Sequence, residues 1–312
     1  MGRAGTTQGK LGVEAGNGPD DGGVAVAVRD DALARRWLTA VELANTRDEA
    51  GLTQKAVAEA LGVSQGLVGH WEKWKYFPQP AQIFKWYEVC EAPSDAAAQL
   101  VELATRPESR SWLSRWRSVI PDDHFTRRYL GAEGIASRLF MYVQMYVPAL
   151  FQVPEYAAAA TAPSARVRPD QEKLLVDLRM FRQQRVLDGD LFVTAVIEED
   201  ALDRPIGGEA VMQAELRYLL QMAKLDNCNI RIIRRDVGRH DGLEGRFTIG
   251  HFETVAGVRQ AGPVVYVELP GDAVYVTKQD RVAAYTESSE FLAAAALSQA
   301  DTIKAIEARL AA

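Results

Sequence analysis

The pattern of apolar and polar positions divides the chain in two. From Asp31 to about Ala92 the apolar residues recur at helical spacing, with Ala34, Trp37, Leu38, Val41, Leu43 and Ala44 on one face. Gly51 ends that helix. Thr53 caps a second helix over Gln54 to Leu61, Gly62 and Val63 turn the chain, and Ser64 caps a third helix running towards Trp74. Two short helices joined by a tight Gly-containing turn make a helix-turn-helix. Pro78 and Pro80 interrupt the pattern before a further helix from Ala81 to Cys90. Ser94 to Val119 predicts one or two short amphipathic helices, including the Trp-rich run from Ser111 to Arg117. One long helix is expected from Phe125 to Tyr146, stopped by Pro148, with Phe140, Met141, Tyr142, Met145, Tyr146 and Phe151 as an apolar stripe around its end. Ala157 to Arg168 is expected to be a loop or frayed helix end, and Gln171 to Leu187 a helix.

The period then changes. Leu191 to Ile197 is a continuous apolar run of strand length, and Asn229 to Ile233, Phe247 to Phe252, Val264 to Leu269 and Ala273 to Val276 also predict strands. Pro205-Ile206-Gly207-Gly208 is expected to turn from a strand into a helix over Ala210 to Leu225. Helices return over Gln279 to Leu297 and Ala300 to Leu310. The fold class expected is α+β: an all-helical N-terminal domain followed by a mixed helix and sheet domain. The boundaries expected are a disordered Gly-rich tail over 1–28, the helix-turn-helix domain over 29–92, a helical linker over 93–124 and the α+β domain over 125–312.

Composition narrows the functional classes. The 312 residues are enough for about two domains. No apolar run is long enough for a membrane span, and no apolar signal core opens the chain. Cys90 and Cys228 lie too far apart in sequence for a disulfide framework or a metal knuckle, so a reduced, cytoplasmic protein is expected. The net charge of −6 excludes a whole-chain basic footprint for nucleic acid. Asp30 to Glu91 holds seven basic and nine acidic residues, so contact with DNA must come from a local patch.

The segment from Gly51 to Gln65, Gly-Leu-Thr-Gln-Lys-Ala-Val-Ala-Glu-Ala-Leu-Gly-Val-Ser-Gln, resembles the lambda-repressor-like regulators, also called the xenobiotic-response-element family. The resemblance implies that Gln54, Ser64 and Gln65 stand at helix N-termini facing double-stranded DNA, where amides and side chains hold phosphate and a Gln reads adenine. Lys55, His70, Lys73 and Lys75 supply the local positive charge. Where such domains carry Lys, Arg, Ser or Thr along the recognition helix, this one reads Gly66, Leu67, Val68, Gly69, His70, Trp71. A module kept as a scaffold or dimer surface is the alternative. Further segments resemble actinobacterial regulators that join this helix-turn-helix to an antitoxin-like C-terminal domain of unassigned activity. They are Tyr142 to Gln152, Glu155 to Ala157, Glu199 to Gly208, and Gly238 to Phe247. That resemblance implies a transcriptional regulator, linked to development or specialised metabolism, with a small partner protein or ligand.

Candidate chemistry in the second half is sparse. Gly238 to Gly245 is a polar loop between two strands, and loops on a rigid sheet are where ligand contacts concentrate. His240, Asp241, Glu198, Glu199, Arg204 and Glu268 all fall at expected strand ends or in loops, as candidate ligand-binding or catalytic residues. No His-Glu-x-x-His, Gly-x-Ser-x-Gly, P-loop or dinucleotide fingerprint occurs, so no metal and no cofactor are expected. The expected function is a homodimeric DNA-binding regulator whose C-terminal domain senses a small molecule or small partner protein. A cofactor-free acid/base enzyme, for example a ring-closing cyclase or a hydrolase, or a metabolite-binding protein on the same scaffold is the alternative.

Overall fold

The computed structural model describes residues 31–106, 111–120, 125–162, 167–253 and 259–311. The tail expected over 1–28 lies outside the described residues.

Local signals place the N-terminal helices where the sequence puts them. Asp31 caps α1 (Ala32–Glu49), its Oδ1 accepting from Ala34 N at 2.9 Å. Gly51, at φ +68°, takes the left-handed turn that follows. Thr53 caps α2 (Gln54–Leu61) and Ser64 caps α3 (Gln65–Glu72), with Gly62 in the left-handed conformation between them. Leu38, Leu43, Val57, Val68, Trp71, Ile83 and Trp86 fill the space between these helices and α4 (Pro80–Val89). The Trp86 indole N–H donates to Leu43 O at 3.1 Å, so this buried donor is satisfied. α5 (Ser94–Thr105) packs on α4 and α1, and Arg35 Nη1 donates to Leu103 O and Arg106 O at its end.

The expected helix from Phe125 to Tyr146 is two elements. α6 (Arg127–Ile135) ends at Ala136, whose ψ of 143° turns the chain into β1 (Arg138–Val143). The apolar stripe over Phe140 to Tyr142 therefore belongs to a strand, not a helix end. Its residues are buried on both faces of the sheet, which removes the alternation that marks a strand in sequence. Of the stretch expected to be a loop or frayed helix end, Ala157 to Thr161 closes α7 (Pro154–Thr161), which has Pro at its first position, where no N–H is required. α8 (Glu172–Leu187) follows as expected.

β2 (Phe192–Glu198) leads directly into the short α9 (Glu199–Asp203), so the Pro205 to Gly208 turn joins two helices rather than a strand and a helix. Gly207 and Gly208 both have positive φ there, ahead of α10 (Glu209–Met222). β3 (Cys228–Ile233), β4 (Phe247–Glu253), β5 (Arg259–Leu269) and β6 (Asp272–Val276) complete a six-stranded mixed sheet of order β3-β2-β1-β4-β5-β6. β1, β2 and β3 run parallel, and β4 reverses direction against β1. One sheet face carries Leu139, Met141, Val193, Ala195 and Ile230 against the helices between the parallel strands. The other carries Phe140, Tyr142, Val196, Phe247 and Val265 against α11 (Gln279–Ala295). The β3 edge is covered by the start of α12 (Gln299–Ala311): Leu297 N donates to Ile232 O at 2.8 Å and Thr302 Oγ1 accepts from Ile232 N.

α1 belongs to both halves of the molecule. Trp37 meets Tyr275 of β6 edge-on at 5.1 Å, Asn45 Nδ2 donates to Thr277 O at 2.8 Å, and Glu42 accepts from Gly262 N. The helix-turn-helix is thus built on a helix that lies against the sheet.

Candidate functional site

The exposed end of the helix-turn-helix is formed by the first turn of α3 and the turn after it. Gln65 and Gly66 stand in solvent, as do Lys55, Lys73 and Lys75. Lys55 pairs loosely with Glu59 at 3.8 Å, whereas Lys73 and Lys75 make no ion pair among the described residues. His70 is half-buried, edge-on to Tyr76 at 5.2 Å, and Tyr76 is 60 % exposed beside it. Trp71, Trp86 and Tyr87 are core. Two of the expected DNA-facing residues have work inside the module. The Ser64 hydroxyl accepts from Leu67 N at 3.2 Å as the cap of α3. Gln54 Nε2 donates to Glu72 Oε2 at 2.7 Å.

Glu72 is the centre of that arrangement. Arg47 grips it from α1 with Nε to Oε1 at 2.5 Å and Nη2 to Oε2 at 3.0 Å. Arg47 is held above its ordinary pKa chiefly by the Glu72 hydrogen bond, against the effect of its own burial. The carboxylate at the end of α3 is therefore neutralised from within, and the charge left beside it is the Lys73 and Lys75 pair. Gly69 completes the fit: a Cβ there would lie 3.4 Å from Gln54 Oε1. That is ordinary van der Waals contact, so Gly69 packs directly against the Gln54 side chain.

At the other end of the chain the structure brings together Glu198, His240 and Tyr142, which the sequence placed only in an apolar stripe and not among the candidate site residues. Tyr142 Oη donates to Glu198 Oε1 at 2.6 Å, and His240 Nε2 lies 3.2 Å from the same oxygen. Burial, then the bond to Glu198, pushes the Tyr142 phenol far above its usual range, so it stays a donor. The His240 side chain is 8 % exposed, and its Nδ1 is buried with no hydrogen-bond partner. Gly242 lets the loop close on this cluster, since a Cβ would fall 2.2 Å from the Tyr142 ring. Gln144 Nε2 holds the loop by donating to Gly242 O at 3.0 Å. The cluster stands where β1 ends beside the start of β4, the point at which the strand order reverses. In open α/β sheets that crevice, at the carboxyl ends of the parallel strands, is where ligands bind.

The remaining candidates lie elsewhere. Glu199 faces away from His240, accepting from Arg309 Nη2 at 2.6 Å and from Arg235 N at 3.0 Å. Asp241 accepts from Ser288 Oγ at 3.1 Å at the start of a short 3-10 helix, and Arg204 is exposed in the turn between α9 and α10. Glu268 pairs with Arg246 at 3.2 Å. It shares the sheet end with Glu198 but stands three strand spacings away, about 14 Å.

A second group of residues carries no local sequence signal. Trp37, Tyr129, Thr248, Tyr266 and Tyr275 line a cavity between α1, α6 and the sheet, with Glu133 at its side. Tyr129 stacks on Tyr266 at 4.2 Å. Glu133 takes both nitrogens of the Arg182 fork at 2.6 and 2.7 Å and the Tyr129 hydroxyl at 2.8 Å. Only the fold joins these positions; the signal was the density of tyrosines on β5 and β6.

Among the described residues no group of three or more His, Cys, Asp or Glu could hold a metal ion. Cys90 and Cys228 are buried thiols, pushed by burial up to about 11 and about 12. No described helix is long and apolar enough to cross a membrane.

Comparison with known proteins agrees with both halves. The Helix-turn-helix family matches residues 43–85, which supports a DNA-binding regulator, and the family described as Domain of unknown function (DUF5753) matches residues 126–308. No curated protein and no solved structure matches the chain. With more than half of its length in that second match, the chain belongs to the DUF5753 family and carries a lambda-repressor-like helix-turn-helix ahead of it.

Proposed function

We propose that the protein is a DNA-binding transcriptional regulator acting as a cytoplasmic homodimer, with a C-terminal domain that senses a small molecule or a small partner protein. The observation that carries this is the capped α3 with Gln65 in solvent at its first turn and Lys73 and Lys75 unpaired beyond its last. Helix N-terminal amides and Gln65 would meet phosphate and base edge, and the two lysines would neutralise phosphates along the groove. Two copies of α3 would read half-sites about 34–36 Å apart. A ligand that binds one spacing better than another shifts the population towards it.

The test is binding of the full chain to its own upstream DNA at low and moderate salt, with Gln65→Ala and Lys73→Ala alongside. Tight binding that weakens with salt and in both variants is expected. Weak binding unchanged in the variants would sink the proposal.

The Tyr142–Glu198–His240 cluster favours a second reading, a metabolite-binding or acid/base site on a scaffold that no longer binds DNA. His240 Nε2 lies 3.2 Å from Glu198, and the buried Nδ1 has no hydrogen-bond partner, which leaves a ring nitrogen for a polar group of a ligand. That reading requires no DNA affinity and a small-molecule conversion lost in His240→Ala.

A further inference from the structure

We propose that the cavity between α1 and the sheet is an effector site for a compact, neutral, aromatic molecule carrying one oxygen acceptor. Its walls decide the class of ligand. Trp37, Tyr129, Tyr266 and Tyr275 present rings in edge and stacked contacts, which is the lining that favours a planar ring. The polar groups at the wall are nearly all committed. Glu133 is saturated by Arg182 and Tyr129, and the Tyr275 hydroxyl donates to Phe125 O at 2.7 Å. Among the lining residues no charge is left unpaired to hold a charged ligand; Arg128, over the Tyr275 ring at 4.7 Å, does not line the cavity. Two hydroxyls differ from the rest. Thr248 and Tyr266 are direct cross-strand partners, both line the cavity, and neither hydroxyl has a hydrogen-bond partner among the described residues. Side by side, they are donors for one carbonyl or hydroxyl oxygen. Gly250, the next residue of β4 on the same face, sits at the register shift between β4 and β5, where the strand gives space instead of a side chain.

The cavity as it stands has a free volume of about 20 Å³, room for a water and far short of the roughly 150 Å³ that admits a benzene ring. A ring can enter only if a wall moves. The floor is the hydrogen-bonded sheet and the remaining walls are α1 and α6, so a ring enters by displacing a helix, here assigned to α1 at Trp37. That helix is also the anchor of the recognition helix, since Arg47 grips Glu72. Trp37 and Arg47 are ten residues apart on one helix, about 15 Å. A ligand that wedges Trp37 outward therefore shifts the base on which α3 is held. The consequence for DNA rests on the regulator reading above; the binding of the ring does not.

The experiment is calorimetric titration of the full chain with 2-naphthol, a neutral ring with one hydroxyl, and with naphthalene-2-sulfonate, the same ring with a charge. Saturable 2-naphthol binding is expected, with the sulfonate about tenfold weaker or worse. Thr248→Val, which removes one hydroxyl at constant volume, should weaken 2-naphthol by about threefold to tenfold. Ala136→Leu, which fills the cavity from the turn after α6, should weaken it by about tenfold or more, and Thr248→Val keeps the test decisive if that variant does not fold. Equal affinity for both rings, or no loss in Thr248→Val, would overturn the site. The same titration on the chain bound to its upstream DNA separates the two claims. A changed 2-naphthol affinity, matched by the same factor in DNA affinity, supports the coupling. Ring binding in a chain without DNA affinity leaves the site standing and overturns the regulator reading. Ring and DNA binding with no mutual effect overturns the coupling.

Discussion

Glu133 and Glu198 both take a hydrogen bond from a tyrosine beside the central sheet, and they are finished in opposite ways. Glu133 receives the whole Arg182 fork as well, and its side chain is 3 % exposed. Both carboxylate oxygens are engaged, by three hydrogen bonds in all, and the counter-charge is permanent. Glu198 receives Tyr142 with an imidazole 3.2 Å from the same oxygen, stays partly open, and that imidazole has a buried nitrogen with no partner. A saturated centre fixes structure. An unsaturated one at a strand end stands ready for a partner that the protein itself does not supply. The largest expected effect tests this contrast. Glu133→Gln leaves the Arg182 guanidinium buried without its counter-charge and should destabilise the fold by about 3–5 kcal/mol in urea denaturation. Glu198→Gln keeps an acceptor for Tyr142 and should cost only about 0.5–1.5 kcal/mol. Equal losses would mean that Glu198 is as structural as Glu133.

A third carboxyl sharpens the comparison because it has neither kind of partner. Glu215 is fully buried on α10, with Oε2 accepting from Val153 N at 2.8 Å and Oε1 unpaired. Burial pushes its pKa up from 4.5 to about 8, with the Val153 bond opposing. The folded chain thus keeps this proton over a range where the unfolded chain has lost it. Stability from this group is complete below about pH 4.5 and is lost as pH rises towards about 8. The slope should approach about 1.4 kcal/mol per pH unit inside that window. Glu215→Gln keeps the acceptor for Val153 and cannot ionise. Denaturation at pH 5 and pH 7.5 should show a drop in the wild type that is absent from this variant, and equal drops would refute the assignment.

What the sequence revealed follows from how locally each feature is determined. Thr53, Ser64, Gly51 and Gly62 act within three or four residues, so the caps and turns of the helix-turn-helix were legible. The apolar run of β2 was legible for the same reason. β1 was not: buried on both faces and following α6 with only Ala136 and Ser137 between, it shows neither alternation nor a turn signal. The functional candidates divide likewise. Glu198 and His240 could be named because one stands at a strand end and the other in a polar loop between strands, but Tyr142, which lies between them, was hidden in the misread helix. The cavity residues Trp37, Tyr129, Thr248, Tyr266 and Tyr275 come from both halves of the chain and meet only through tertiary packing. The same holds for Gln54, whose bond to Glu72 spans α2 and α3 and takes an expected DNA-reading side chain into the module.

That last case gives the prediction with the smallest effect on stability and the sharpest division of roles. Lys73 is exposed and unpaired among the described residues, so Lys73→Ala should leave folding within about 0.5 kcal/mol. If it meets a phosphate, the slope of log affinity for DNA against log salt should fall by about 1, with little change in sequence preference. Gln54→Ala should behave in the opposite sense. It removes a bond to a half-buried carboxylate and should cost about 1.5–3 kcal/mol of stability. Its salt slope should stay at the wild-type value, because a neutral side chain held at Glu72 releases no counterion. Salt titrations of DNA binding beside urea curves for the two variants check both halves at once. A changed slope in Gln54→Ala would place that residue at the phosphate backbone after all, and Glu72 would then be held by Arg47 alone.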